Sequence, residues 1–238
     1  MPTDAVPAMT PEELLARVLY RDAMVLILDK PAGLAVHAGA RDGSHHLMDL
    51  LEPLRFGLPR NPELAHRLDR DTSGCLVLGR HRKALARLGE IFAEGSAEKT
   101  YWAVVVGKPP TETGLIDKRL KKLERRHGWR MVVDDKGQEA QTEYRVLGSN
   151  GRLSWIEAKP KTGRTHQIRV HLAAIGCPIV GDSTYGRGTA DLVSPHLHLH
   201  ARSIRLPFNP KKPAIIATAP VPPHMVETLR QCGWTSPE

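Results

Sequence analysis

The stretch QTEYRVLGSNGRLSWIEAKP, residues 141–160, holds two β-type runs that meet at Ser149-Asn150-Gly151. Asn-Gly is the dipeptide that a tight hairpin turn accepts most readily. A hairpin joins its strands antiparallel, which argues against a doubly wound parallel sheet. Other β-type runs are MVLILDK from Met24, CLVLGR from Cys75, KTYWAVVVG from Lys99 and PHLHLHARSIRLPF from Pro195. A turn at Pro31-Ala32-Gly33 and a second short strand are expected after the first of them.

Helical patterns are fewer. PEELLARVLY opens on Pro11 and two glutamates, a good helix start. Leu85, Leu88 and Phe92 share helical spacing and Gly95 stops the pattern. Ile168, Leu172 and Ile175 share a face that ends at Gly176, and VETLRQCG is one more short helical stretch. The expected class is α+β: a mixed, largely antiparallel β-sheet with flanking helices. Residues 1–20 are expected to form a loose tail and a short helix, and residues 21–238 a single domain.

Lys and Arg number 34 against 26 Asp and Glu, a net charge of +8. A basic globular chain suits a polyanionic partner, usually nucleic acid. Cys75, Cys177 and Cys232 lie far apart, so neither a disulfide framework nor a structural zinc site is expected. The N-terminus lacks the charge and apolar run of a secretory signal, and no stretch is long enough to span a membrane, so a cytoplasmic protein is expected. Neither GxxxxGK[ST] nor GxGxxG occurs, so no phosphate-cradling loop is signalled.

The chemistry concentrates in AHRLDRDTSGCLVLGR, residues 65–80, where Asp69 and Asp71 stand among Arg67, Arg70 and Arg80 at the mouth of a strand. Two carboxylates could hold Mg²⁺ for nuclease chemistry. One carboxylate beside an arginine stays ionised at neutral pH and can serve as nucleophile or general base. His196, His198 and His200 alternate with Leu197 and Leu199 and on a strand would line one face. No acidic or cysteine partner is placed beside them, so a polar strand face is expected rather than a metal site. The basic run DKRLKKLERRHGWR, residues 117–130, suits either a solvated loop or strand face or an RNA-contacting insertion.

HRLDRDTSG, at 66–74, resembles the signature loop of the RluA-type RNA pseudouridine synthases. EKTYWAVVVG at 98–107 and KTGRTHQIRVHLAAIGCPIVGDSTYG at 161–186 agree in the same order, as do KPAGLAVHAG at 30–39 and LHLHA at 197–201. The resemblance spans residues 24–208. It implies the pseudouridine synthase fold with a central catalytic cleft, and isomerisation of specific uridines in rRNA or tRNA to pseudouridine. By resemblance Asp69 is the catalytic aspartate, Tyr101 packs on the uracil and Arg169 pairs with the aspartate. Arg67 is similar to the arginine that enters the RNA stack when the target base is extruded, at a cost of a few kcal/mol. Lys161, Arg164 and His166 are implied backbone contacts.

An isomerisation needs no cofactor, and none is expected. Many members of the family carry an N-terminal S4 domain, for which the twenty or so residues ahead of the core are too few. RNA grip is then expected from the catalytic domain and from Lys121, Arg125 and Arg126, with structured stem-loops as substrates and a monomer as the working form. The competing readings are a non-catalytic RNA-binding or ribosome-assembly protein and a Mg²⁺-dependent nuclease.

Overall fold

Residues 9–37, 46–126, 128–186 and 194–235 are described by the structure, a computed structural model. Most of the expected tail and the end of the KPAGLAVHAG stretch lie outside them. The chain opens with α1 (Pro11–Leu15), β1 (Val18–Arg21) and β2 (Val25–Lys30). Two 3-10 turns precede the short β3 (Glu63–Leu64), β4 (Ser73–Gly79) and α2 (Arg82–Ala93). Then come β5 (Glu98–Val106), β6 (Thr113–Asp117), β7 (Leu120–Arg125), β8 (Gly128–Val133), β9 (Gln141–Ser149) and β10 (Leu153–Pro160). The described chain closes with α3 (Gln167–Ala174), β11 (Leu199–Leu206), β12 (Ile215–Thr218) and α4 (Pro223–Gln231). The α+β class holds, and the strand pairs with a described register are all antiparallel.

The chain divides into two compact units: residues up to Glu98 with Ala201–Pro220, and Lys99–His200 with the residues from Val221. In the first, β2 pairs with β1 and β4, and β12 pairs with β11. All seven residues of β4 are buried, as a strand covered on both faces requires. Val25, Ile27, Cys75 and Val77 pack with Leu88 and Ile91 of α2 and with Ile204, Leu206 and Ala217. The buried stripe of α2 is Ala84, Leu88 and Ile91, with Leu85 and Phe92 at its flanks.

The helix expected over PEELLARVLY is cut short. Thr10 and Glu13 form a capping box, but α1 ends at Leu15. Val18–Arg21 then pairs with β2, because β-branched and aromatic side chains beside a ready strand outweigh a weak helix preference. The turn at Gly33 is present with φ 85°, but Leu34–His37 form no second strand.

In the second unit β5, β10, β9 and β6 are neighbours in that order. The 149–151 turn forms as expected: Asn150 Oδ1 accepts from Arg152 N at 3.0 Å and Leu153 N at 2.8 Å, and Gly151 has φ 86°. Ile168 and Leu172 of α3 pack on Ala103, Ile156 and Ala158. Met225 and Leu229 of α4 pack on Val104 and Leu153. The basic run forms a separate two-stranded ribbon, β7–β8, whose Leu120 and Met131 pack with Ala140 and Val170. The histidine stretch differs from expectation: Leu197, His198, Leu199 and His200 are all buried, while His196 is exposed. The strand begins only at Leu199, so the three imidazoles do not form one polar face. Among the described residues no group of three His, Cys, Asp or Glu is placed to hold a metal.

Candidate active site

In the first unit, the segment from His66 to Thr72 is an irregular loop feeding β4. Leu68 and Thr72 are buried, Asp69 is half-buried, and Arg67, Arg70 and Asp71 are more open to solvent. Thr72 N donates to Asp69 O at 3.2 Å. His66 Nε2 accepts from Val77 N at 3.0 Å, and its ring packs on Phe92 at 4.7 Å. Gly74 has φ 103°, and a side chain there would strike the Ala201 carbonyl, so only glycine fits.

The loop is fastened to the turn after β2. Lys30 Nζ donates to Pro31 O at 2.8 Å, Leu34 O at 2.9 Å and Arg70 O at 2.8 Å. Gly33 N donates to Arg70 O at 3.0 Å, and Arg70 Nε returns a bond to Gly33 O at 3.0 Å. Burial pushes Lys30 down to about 7, while the carboxylates of Asp71, Asp69 and Asp29 pull it up. Three carbonyl acceptors match the three N–H groups of an ammonium, which favours the charged form.

In the second unit, Arg169 projects from α3 and is buried. Its Nε and Nη2 donate to Asp182 Oδ2 and Oδ1 at 2.8 and 2.9 Å, a bidentate pair. Asp182 Oδ1 also accepts from Thr184 N and Tyr185 N at 3.0 Å each, which fixes the carboxylate in an Asx turn. The Arg169 guanidinium lies 5.2 Å from the Tyr185 ring centre. A buried arginine needs a carboxylate, and Asp182 meets that need.

Tyr101 sits on β5 opposite Ala158 of β10, half-buried against the core that holds Ile168. Burial pushes the nearby Lys99 down. Lys161, Arg164 and His166 occupy the segment leading into α3. Lys161 pairs with Glu143 at 2.9 Å, and Arg164 Nε donates to Glu139 O at 3.0 Å. His166 Nδ1 lies 2.8 Å from Tyr185 Oη. Lys121 is 3.6 Å from Asp134, and Arg125 and Arg126 are exposed at the end of the ribbon.

Lys30, Asp182 and Tyr185 are the partners that sequence reasoning did not single out. Asp182-Ser-Thr carries the Asx-turn pattern, and a lone lysine closing the apolar run VLILDK was a signal too.

Comparison with known proteins accords with this arrangement. Residues 24–174 match the RNA pseudouridylate synthase family. An uncharacterized RNA pseudouridine synthase of Zymomonas mobilis is 47% identical over 211 residues, covering 88% of this chain and 95% of that protein. The ribosomal large subunit pseudouridine synthase C of Vibrio cholerae is 37% identical over 224 residues, covering 91% of this chain and 69% of that protein. The solved structure of human RNA pseudouridylate synthase domain containing 4 superposes with a TM-score of 0.78 at 26% identity, covering 96% of this chain and 97% of that one. The loop, the tyrosine strand and the arginine helix thus lie in a chain that belongs to the RluA-type RNA pseudouridine synthases, isomerases that act on RNA.

Proposed function

We propose that Asp69 is the carboxylate of the isomerisation, acting on a uridine in a structured stem-loop of rRNA or tRNA. The observation that carries this reading is the fastening of its loop. Lys30 and Gly33 both hold the Arg70 carbonyl, one residue beyond Asp69, so the carboxylate rides on a fixed backbone. The reaction breaks N1–C1′, turns the uracil and forms C5–C1′; C5 loses a proton and N1 gains one. Attack at C1′, attack at C6 and proton removal from the sugar all start from the same ionised carboxylate. Tyr101 is the platform for the extruded uracil, where stacking is worth roughly 1–3 kcal/mol. Arg67, on the same loop, fills the space the flipped base leaves. Arg169, already oriented by Asp182, is the cation that the family resemblance assigns to the isomerisation. Relatives from Vibrio cholerae and Haemophilus ducreyi carry the name ribosomal large subunit pseudouridine synthase C, which makes large-subunit rRNA the first substrate to assay.

Asp69→Asn keeps the shape of the side chain and removes its charge. It should abolish single-turnover conversion while leaving RNA affinity within about threefold, since neither the stacking nor the phosphate contacts change. Conversion within tenfold of wild type would remove Asp69 from the mechanism.

A further inference from the structure

We propose that Trp129 is a stacking platform for an unpaired base of the RNA, held at one end of an aromatic stack that terminates on Arg169. Trp129 lies on β8 and is 43% exposed, whereas Trp102, Trp155 and Trp234 pack partly buried around Val104 and Leu229. An indole left this open forgoes much of the apolar burial that usually places the residue.

One side of the ring is engaged by His166, at 5.2 Å between centres and 26° between planes. That imidazole is itself held. His166 has φ 54°, a left-handed conformation uncommon outside glycine, and such backbone clusters at functional sites. Tyr185 meets its ring edge-on at 5.7 Å. Tyr185 Oη accepts from Met131 N at 3.0 Å, two residues from Trp129 on the same strand. The Arg169 guanidinium lies against the Tyr185 ring. Indole, imidazole, phenol and guanidinium therefore form one connected series within the second unit.

The family's action on RNA identifies the occupant. Lys122 Nζ lies over the indole, 5.3 Å from its centre, and pairs with Glu124, which faces Trp129 across the ribbon; Lys121 and Arg125 stand on the ribbon's opposite face. An exposed aromatic ring joined through His166 and Tyr185 to Arg169 suits an unpaired base, since every base offers a π-face to stack on it. A base seated on Trp129 would set the distance from its strand to Arg169, which makes the platform a register device for a nucleotide beside the target. This inference rests on the RNA-modifying activity and is independent of any phosphate grip on the ribbon's other face.

The test uses the full chain and an unstructured RNA oligonucleotide. Tryptophan emission should be quenched along the same isotherm that filter binding gives, and RNA should shield that emission from acrylamide. Trp129→Phe should keep affinity within threefold and lose the quenching. Trp129→Ala should weaken binding between about fivefold and a hundredfold. RNA binding with unchanged emission and unchanged acrylamide access in the wild type would overturn the platform while leaving the activity standing. Equal affinity of a folded Trp129→Ala chain would overturn it as well. Quenching that survives in a Lys121/Arg125/Arg126→Ala chain, with an unchanged salt dependence, would retain the platform and remove the phosphate grip. Absence of RNA binding by both methods would overturn platform and grip together.

Discussion

A lysine buried at the end of a strand is costly unless its three donors are all used. Lys30 is 2% exposed and commits all three to carbonyls, two of its own turn and one from residue 70. Lys30→Met keeps the length and apolar stem but leaves the Pro31 and Leu34 carbonyls without this donor, while the Arg70 carbonyl keeps Gly33 N. At roughly 1–3 kcal/mol for each buried group left unpaired, the variant should be destabilised by about 2 kcal/mol or more. Its conversion rate should fall further than its RNA affinity, because the Arg70 carbonyl that Lys30 holds is one residue from Asp69. Denaturant titration with single-turnover assays checks both, and wild-type values in both would show the latch to be idle. The sequence showed a lysine closing VLILDK, but not that carbonyls from residues 31, 34 and 70 converge on it. Arg169 was half legible in the same way. Its place near the apolar face of a helix demanded a carboxylate, but Asp182 answers from a loop folded by its Asx turn and by the Gly186 N–Asp182 O bond.

At the scale of elements, hairpins were the legible feature. The 149–151 turn, the buried β4 and the glycine-terminated α3 stand where turn chemistry and periodicity put them. β1 was hidden because its four residues follow a true helix start, and only pairing with β2 decides them. The basic run left two readings open, and the ribbon β7–β8 settles its geometry: Lys121, Leu123 and Arg125 share one face of β7. If that face grips phosphates, changing Lys121, Arg125 and Arg126 to Ala should weaken binding to all RNAs. The slope of log affinity against log salt should flatten by about 0.7–0.9 for each phosphate no longer neutralised. Single-turnover rate at saturating RNA should hold. Filter binding at several salt concentrations measures the slope, and an unaltered slope would make the ribbon a solvated surface.

Over the whole molecule, the net charge of +8 was a correct pointer to a polyanionic substrate, whereas buried histidines had no sequence signature. Burial pushes His224 down to about 4, helped by His198, and lowers His171 and His198. His224 packs 5.1 Å from His196 and 5.4 Å from His198. Between the ordinary histidine value near 6.5 and about 4, the unfolded chain binds protons that the folded chain refuses. Stability from this source is therefore full above about pH 6.5 and declines as pH falls towards 4. His224→Gln should shallow that decline, which melting temperatures at about pH 7, 5.5 and 4.5 would reveal; an identical pH profile would rule His224 out as its source.

The composition of the first unit has a consequence for synthesis. Val25, Ile27 and Val77 are made early, yet Ile204, Leu206 and Ala217, which complete their core, are made near the end. While a ribosome builds the intervening hundred or so residues, the sheet that carries Asp69 lacks part of its cover. Long-range closure of this kind is slow, so the Asp69 loop is among the last parts of the nascent chain to acquire its final support.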